Sequence, residues 1–453
     1  MYIVPVIIYN IIKFEFFNGK SVVMTKKVGF LALGCKVNQY EVDAYTAMFK
    51  EAGFETASFN DVCDVYVINT CSVTNLGDRK SRQMIRRAKQ KNPDAVVVAT
   101  GCYAQVSYDD VSKMDEVDLC IGTSLRSQIV ELTKRVLNGE DINCYVDIMK
   151  VRQYEELECE SVTERTRANI KIQDGCDNFC SYCIVPYARG PVRSRRLESI
   201  LKETKRIASL GFKEVVLTGI SVASYGKDTK ECSLIDVIEA VCRVEGIERV
   251  RLSSIDPVAF TDEFIERISK LEKVCDHFHI SLQSGSKSVL KNMNRKYTPE
   301  EYIDMLERIR SKMPDVGITT DIIEGFPGET EENFEETKAF VEKARFSKVH
   351  VFPYSERKGT AAAQMKQHPL PLREKRAKEL SEVTGRIQNE FEQSFVGKNV
   401  SVLFEQVKGE FTEGHTTNFL KICVDKDENL IGECFDVIIE KYENNMLYGR
   451  VVK

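Results

Sequence analysis

Three cysteines stand close enough in the chain to hold metal together. Cys176, Cys180 and Cys183 form a Cys-x3-Cys-x2-Cys run inside Gly175-Cys176-Asp177-Asn178-Phe179-Cys180-Ser181-Tyr182-Cys183, just after the apolar pair Ile170 and Ile172. The odd count and short span do not suit a disulfide framework. They do suit iron: closely spaced thiolates bind iron–sulfur clusters, and three of them leave one iron of a [4Fe–4S] cube open to another ligand. A structural zinc loop is the competing reading. Zinc sites close with a fourth Cys or His, and neither a His nor a second Cys-x2-Cys stands near this run.

A second set is dispersed. Apolar runs at residues 28–33, 65–69 and 95–100 each lead into a cysteine, as Gly34-Cys35, Asn69-Thr70-Cys71 and Gly101-Cys102. A helical pattern follows each run, which is the βαβ signature of a parallel sheet. The C-terminal ends of such strands share one edge, where ligands bind, so Cys35, Cys71 and Cys102 are expected to meet in space. Three unrelated buried thiols are the alternative, a description that fits Cys63 and Cys120.

The Cys-x3-Cys-x2-Cys spacing resembles that of the radical S-adenosylmethionine (radical SAM) enzymes. Leu33-Gly34-Cys35-Lys36-Val37-Asn38-Gln39, Asn69-Thr70-Cys71-Ser72-Val73-Thr74 and Gly101-Cys102-Tyr103-Ala104-Gln105 resemble the motifs of the methylthiotransferase family within that superfamily, and the match runs from about Lys26 onward. The resemblance implies two [4Fe–4S] clusters and SAM. One cluster, on Cys176, Cys180 and Cys183, chelates SAM and generates a 5′-deoxyadenosyl radical; an auxiliary one, on Cys35, Cys71 and Cys102, handles sulfur. It assigns Tyr182, Thr218, Gly219, Ser281, Gln283 and Arg295 to SAM binding, and no catalytic side chain is assigned.

The elements that position these groups fall into blocks. At roughly 150 residues per domain, 453 residues suggest about three. We read an extension at 1–25, an N-terminal α/β domain with a parallel sheet at 26–150, an acidic linker at 151–167, a radical SAM domain at 168–396 and an RNA-binding TRAM domain at 397–453. Met24 reads as a second start, with an extra edge strand before it as the alternative. In the central block, strands at 169–173, 214–217, 249–252, 277–282, 317–323 and 348–352 alternate with helices. Six such strands give a partial (β/α)6 barrel, whose functional groups sit at strand C-terminal ends. Glu324, Ser221 and Ala361 depart from the family pattern. His277 and His279 share one strand face, read as hydrogen-bonded core rather than a metal pair. After a long helix at 372–394, strands at 400–404, 420–424, 435–440 and 446–452 suggest a small antiparallel β-barrel. Phe411 and Phe419 are base-stacking candidates there, and Phe404 reads as core. Cys423 and Cys434 read as structural, and Cys144 and Cys159 receive no role.

Fifteen cysteines with no cationic leader segment point to reduced thiols and a cytoplasmic protein; no apolar run reaches the roughly 20 residues that span a bilayer. The net charge of −5 means that any nucleic-acid face must be local. One is available at residues 75–91, where Arg79, Lys80, Arg82, Arg86, Arg87, Lys89 and Lys91 fall at helical spacings. Arg189, Arg193, Arg195 and Arg196 either meet RNA phosphate or complement a cluster's charge. The resemblance implies a tRNA anticodon stem-loop as substrate, modified at C2 of the adenosine 3′ of the anticodon. It also implies flavodoxin or ferredoxin as electron donor and a monomer. Gly-Cys-Lys-Val-Asn-Gln at Cys35, Arg189-Gly190 and Gly359-Thr360-Ala361-Ala362 resemble the branch acting on N6-threonylcarbamoyladenosine. Branches for isopentenyladenosine or a ribosomal protein carry other residues after the cysteine. An iron–sulfur redox sensor without turnover and a zinc-dependent RNA-binding protein are the readings from other classes.

Overall fold

The computed structural model describes residues 16–17, 20–21, 25–157 and 166–452. Before Lys26, Phe16–Phe17 pairs antiparallel with Lys20–Ser21. Met24 and Cys159 lie outside the described residues.

The N-terminal sheet is parallel throughout. Its strands are β1 (Lys27–Ala32), β2 (Glu55–Ala57), β3 (Val65–Thr70), β4 (Val96–Gly101) and β5 (Leu119–Cys120), in the order β2-β1-β3-β4-β5. Strands β3 and β4 are buried along their whole length, because helices cover both faces. Val65, Val67, Val96 and Val98 pack against α1 (Lys36–Glu51) through Tyr45 and Phe49. The alternate residues Tyr66, Ile68, Val97 and Ala99 pack against α2 (Asn75–Lys91) through Ile85 and Ala88. Strands β2 and β5, of three and two residues, are too short to show a period and were not foreseen. A short helix, α3 (Cys102–Val106), follows β4 directly.

The central unit contains the six parallel strands expected. They are β6 (Arg167–Asp174), β8 (Glu214–Gly219), β9 (Arg249–Leu252), β10 (His277–His279), β11 (Gly317–Glu324) and β12 (Lys348–Pro353). A two-residue antiparallel edge, β7 (Arg193–Ser194), lies beside β6. Isolated parallel bridges from Val250 to Val274 and from Ile255 to Ile280 join the β6–β9 half to the β10–β12 half. Among the described residues β12 does not pair with β6, so the barrel is open on one side. The N-terminal unit covers that gap. Glu41 of α1 bonds Lys171 of β6 at 3.0 Å. Arg357, beyond β12, bonds Ser72 at 2.8 Å and Asp78 at 2.7 Å, just after Cys71.

Side chains of the barrel strands alternate. Ile170, Leu217, Leu252, Phe278 and Ile318 face outward into the main core with the helices. The opposite face is polar, with Arg167, Glu214, Arg251, His277, His279 and Thr319 pointing inward.

A long helix (Leu370–Gln393) leads to a closed barrel of β13 (Asn399–Lys408), β14 (Phe411–Thr416), β15 (Lys421–Asp425), β16 (Cys434–Glu443) and β17 (Met446–Val451). It has one strand, β14, more than expected, and the β15–β17 pairing is parallel. Phe404 is buried, as read. Phe419, though 37% exposed, is already engaged within the chain. It stacks on His277 at 4.8 Å and His415 at 4.7 Å, with Arg251 over its ring at 4.9 Å. It thereby lies against His277 and Arg251, near the N-terminal ends of their barrel strands. No helix among the described residues is long and apolar enough to cross a membrane.

Candidate active site

The local trio sits on a clamped loop. Gly175 has φ +79°, and a Cβ there would stand 1.9 Å from the Pro191 carbonyl oxygen; only glycine can open this loop. The Cys176 N–H donates to the Gly190 carbonyl at 3.0 Å. Asn294 holds the Phe179 carbonyl at 3.0 Å, and Ser181 donates to the Met293 and Asn292 carbonyls. The Cys176 sulfur accepts from the Asn178 N–H, and that of Cys183 from the Val185 N–H.

The dispersed trio does meet at the C-terminal edge of the parallel sheet. Gly34, at φ +94°, lets Cys71 Sγ lie where a Cβ would be 2.6 Å away. Cys35 caps the N-terminus of α1. Burial, and Cys35 nearby, raise the Cys71 thiol, and burial, with Cys35 and Cys71 nearby, raises that of Cys102. Asn38 ties the loops together, donating to the Leu33 carbonyl at 2.7 Å and the Thr70 carbonyl at 3.0 Å. Thr70 Oγ1 donates to the Thr100 carbonyl at 2.6 Å and accepts from the Ala104 N–H at 3.1 Å.

Between the trios lies a buried ion-pair core that was not foreseen. Glu41 is fully buried and accepts from Arg126, Arg189, Lys171 and Asn69. Asp174, one residue before the Gly175 loop, accepts from Lys171 at 2.7 Å and pairs with Arg126 at 3.1 Å and Arg193 at 3.6 Å. Despite the cost of burial, Arg189, Lys171 and Arg126 hold the Glu41 carboxyl well below the usual carboxylate range. The hint in the sequence was Glu41 four residues from both Val37 and Tyr45, on the stripe that α1 buries. Arg189, Arg193 and Arg195 are spent on these carboxylates and on Glu156 and Glu203. They are buried and cannot reach RNA phosphate; of the four arginines only Arg196 is exposed.

Of the remaining predicted residues, Tyr182 lies within the local loop and Arg295 touches it, while the others lie at or just beyond the C-terminal ends of barrel strands. Thr218 is buried on the inward face near the end of β8, and Gly219 ends that strand. The Ser281 and Leu282 carbonyls both accept from Tyr297 Oη at 2.7 Å. Gln283 has φ +76° and its N–H donates to the Asp321 carbonyl at 2.9 Å. Tyr182 packs against the Val289–Met293–Phe326 cluster. Arg295 donates to Cys180 Sγ at 3.3 Å, Asp256 at 2.8 Å and Tyr297 Oη at 2.9 Å. His277 and His279 both share hydrogen bonds with Thr319 Oγ1, at 3.1 and 3.0 Å, and His279 meets Asp321 at 3.2 Å. This is the hydrogen-bonded arrangement expected.

Comparison with known proteins agrees with this geometry. Residues 170–341 match the radical SAM superfamily, and residues 27–122 match uncharacterized protein family UPF0004. The threonylcarbamoyladenosine tRNA methylthiotransferase MtaB of Bacillus subtilis is 43% identical over 91% of this chain and 94% of its own. The chain belongs to the radical SAM methylthiotransferase family. The tRNA-2-methylthio-N(6)-dimethylallyladenosine synthase of Thermotoga petrophila is also similar, 38% identical over 92% of this chain and 95% of its own. Among solved structures, the radical SAM methyltransferase TsrM of Kitasatospora setae shares the fold. Its TM-score is 0.55 at 15% identity, over 75% of this chain and 77% of that one.

Methylthiotransferases of this family use SAM and [4Fe–4S] clusters, and both trios fit such a group. Each offers three cysteines on loops that also present backbone N–H groups. Burial pushes the Cys102 and Cys183 thiols up to about 12, so they stay protonated at neutral pH until a metal displaces the proton. Among the described residues no trio of Cys, His, Asp or Glu forms a cage for a single ion. A cube is ligated one thiolate per iron, so its ligands must surround a volume rather than converge on a point.

Proposed function

We propose that this methylthiotransferase acts on tRNA, at C2 of the adenosine 3′ of the anticodon, and that this adenosine bears an N6-threonylcarbamoyl group. In this reading Cys176, Cys180 and Cys183 hold the cluster that binds SAM, with Tyr182, Thr218, Gly219, Ser281, Gln283 and Arg295 around it, and Cys35, Cys71 and Cys102 hold the auxiliary cluster. When bound, these groups supply radical hydrogen abstraction and the transferred methylthio unit.

Identity alone leaves the base open, since relatives named for both adenosine substrates match at 43% and 38%. The observation that favours threonylcarbamoyl is the polar barrel interior. Lys36 follows Cys35 at the start of α1, and its ammonium lies in the field of Arg251, Arg167 and Glu214 on the inward strand faces. The side chain is open to solvent in the barrel interior, and partial desolvation by the surrounding walls, with the neighbouring arginines, lowers its pKa. Among the described residues it has no salt-bridge partner. From the other half of the barrel, His279 of β10, Asp321 of β11 and His350 of β12 face the same interior, the two rings 6.0 Å apart. A threonylcarbamoyl group brings a carboxylate, a hydroxyl and ureido N–H groups to such a surface. An isopentenyl group would strip water from these polar side chains and return no hydrogen bond. An unpaired loop base can be splayed into a pocket at low cost.

For the tRNA backbone, α2 offers a groove of about 490 Å³ lined by Arg79, Arg82, Arg86 and Arg87. We further assign a flavodoxin or ferredoxin as electron donor, a monomeric state and a cytoplasmic site of action.

The deciding experiment is nucleoside mass spectrometry. Anaerobically reconstituted enzyme with SAM, sulfide and reductant is given tRNA bearing threonylcarbamoyladenosine or, in parallel, isopentenyladenosine. A methylthio product on the first alone is expected. Product on the second alone overturns the substrate reading. Product on neither, with 5′-deoxyadenosine still formed, overturns the tRNA reading.

A further inference from the structure

Each cysteine trio carries one arginine on one sulfur, but the two arginines differ in origin. Arg295, 3.3 Å from Cys180, comes from the same unit as its trio. Arg189 does not. It ends α4 (Val185–Arg189), the short helix that follows the local trio directly, and it reaches across into the dispersed one. Its side chain is wholly buried. Nε lies 3.2 Å from Cys102 Sγ, one Nη donates to Asn38 Oδ1 at 2.6 Å, and the fork grips Glu41. Asn38 in turn holds the Leu33 and Thr70 carbonyls, at the roots of the Cys35 and Cys71 loops. One guanidinium therefore contacts Cys102 directly and the other two cysteine loops through a single amide. Its own helix is fixed by the Gly190 carbonyl that receives the Cys176 N–H.

We propose that Arg189 is a positioning residue for the auxiliary cluster, which it registers against the SAM-binding trio and whose reduction it eases by an N–H···S hydrogen bond to Cys102. This inference rests on the cluster assignment above. The physical grounds are two. A fixed positive charge and an N–H donor at a ligating sulfur favour the more negative, reduced state of an iron–sulfur cluster. A planar fork can hold a sulfur, an amide and a carboxylate at once, which a lysine ammonium cannot do with the same geometry.

The test uses the full-length chain with Cys176, Cys180 and Cys183 replaced by Ala, so that only the auxiliary cluster forms, and with its arginines labelled with 15N. Pulsed electron paramagnetic resonance of the reduced cluster should show a 15N coupling that vanishes in Arg189→Lys. A redox titration of Arg189→Gln should move the midpoint to more negative potential by at least a tenfold change in the oxidised-to-reduced ratio, 59 mV for one electron. Arg189→Lys should fall between. A loaded auxiliary cluster with no arginine coupling, or an unmoved midpoint, would overturn the proposal. If Arg189→Gln does not load, the labelled parent decides by its coupling alone. A triple-Ala chain that binds neither iron nor sulfide would instead refute the auxiliary-site assignment.

Discussion

Replacing Glu41 by Gln is the sharpest probe of the buried core. The change keeps the shape and one acceptor oxygen but removes the charge that Arg126, Arg189 and Lys171 share. Asp174 remains, yet it already serves Lys171, Arg126 and Arg193. Breaking a buried pair while leaving its partners charged costs about 3–5 kcal/mol, because the stranded cations cannot be rehydrated. At about 2–4 °C per kcal/mol for a unit of this size, the unfolding midpoint should drop by roughly 10 °C. Two features separate this from a surface effect. Buried charges are poorly screened, so the loss should persist in 0.5 M salt (about a 4 Å Debye length). The folded Glu41 pKa lies below its unfolded value, so its contribution is complete above about pH 5 and fades only as pH falls through the folded value. The penalty should therefore be flat from about pH 6 to pH 9. The assay is anaerobic calorimetry on parent and variant at two salt concentrations. A loss under about 1 kcal/mol, or one that salt abolishes, would refute the claim that this core is a desolvated ion-pair network.

Two further predictions come from other parts of the molecule. Reversing the exposed Arg79 and Lys80 of α2 to Glu should weaken tRNA binding and flatten the plot of log affinity against log salt by roughly 0.7–0.9 for each phosphate that the helix no longer neutralises; an unchanged slope on filter binding would remove this helix from the RNA interface. At the end of β11, Glu324 has a buried Oε2 with no hydrogen-bond partner among the described residues, and burial, with Glu329 beside it, raises its pKa well above the carboxylate range. A carboxyl whose folded pKa is raised loses stability as pH climbs from about 4.5, its unfolded value, through the folded one. Glu324→Gln should thus be more stable than the parent by about 1–3 kcal/mol at pH 8 and nearly equal to it below pH 5, read from thermal melts across that range.

Much of the site was legible because it is written locally or by a simple rule. Cys176, Cys180 and Cys183 lie within eight residues, so their proximity needs no tertiary information. Cys35, Cys71 and Cys102 needed one step more, the rule that parallel strands end on one edge, and the sheet follows it. The six barrel strands were visible from alternating apolar runs. The polar inward face was also present in the alternation, as in Arg249-Val250-Arg251-Leu252 and His277-Phe278-His279-Ile280, but it carries meaning only once helices are known to cover the apolar face.

The sequence by itself determined the chemistry: which thiols could hold iron, which strands would carry them, and which family the motifs resemble. Tertiary structure decided what surrounds that chemistry. Arg189 and Glu41 are 148 residues apart, and Arg357 and Asn75 are 282 apart. No periodicity links such positions, so an arginine bound for RNA and one bound for a buried carboxylate look alike in the chain. The same holds for Phe419, an aromatic in a β-barrel loop by sequence and a ring stacked between two histidines in the fold. Long-range docking of the N-terminal sheet and of the C-terminal barrel onto the central barrel settles these cases, because packing, not residue type, determines which partner a side chain finds.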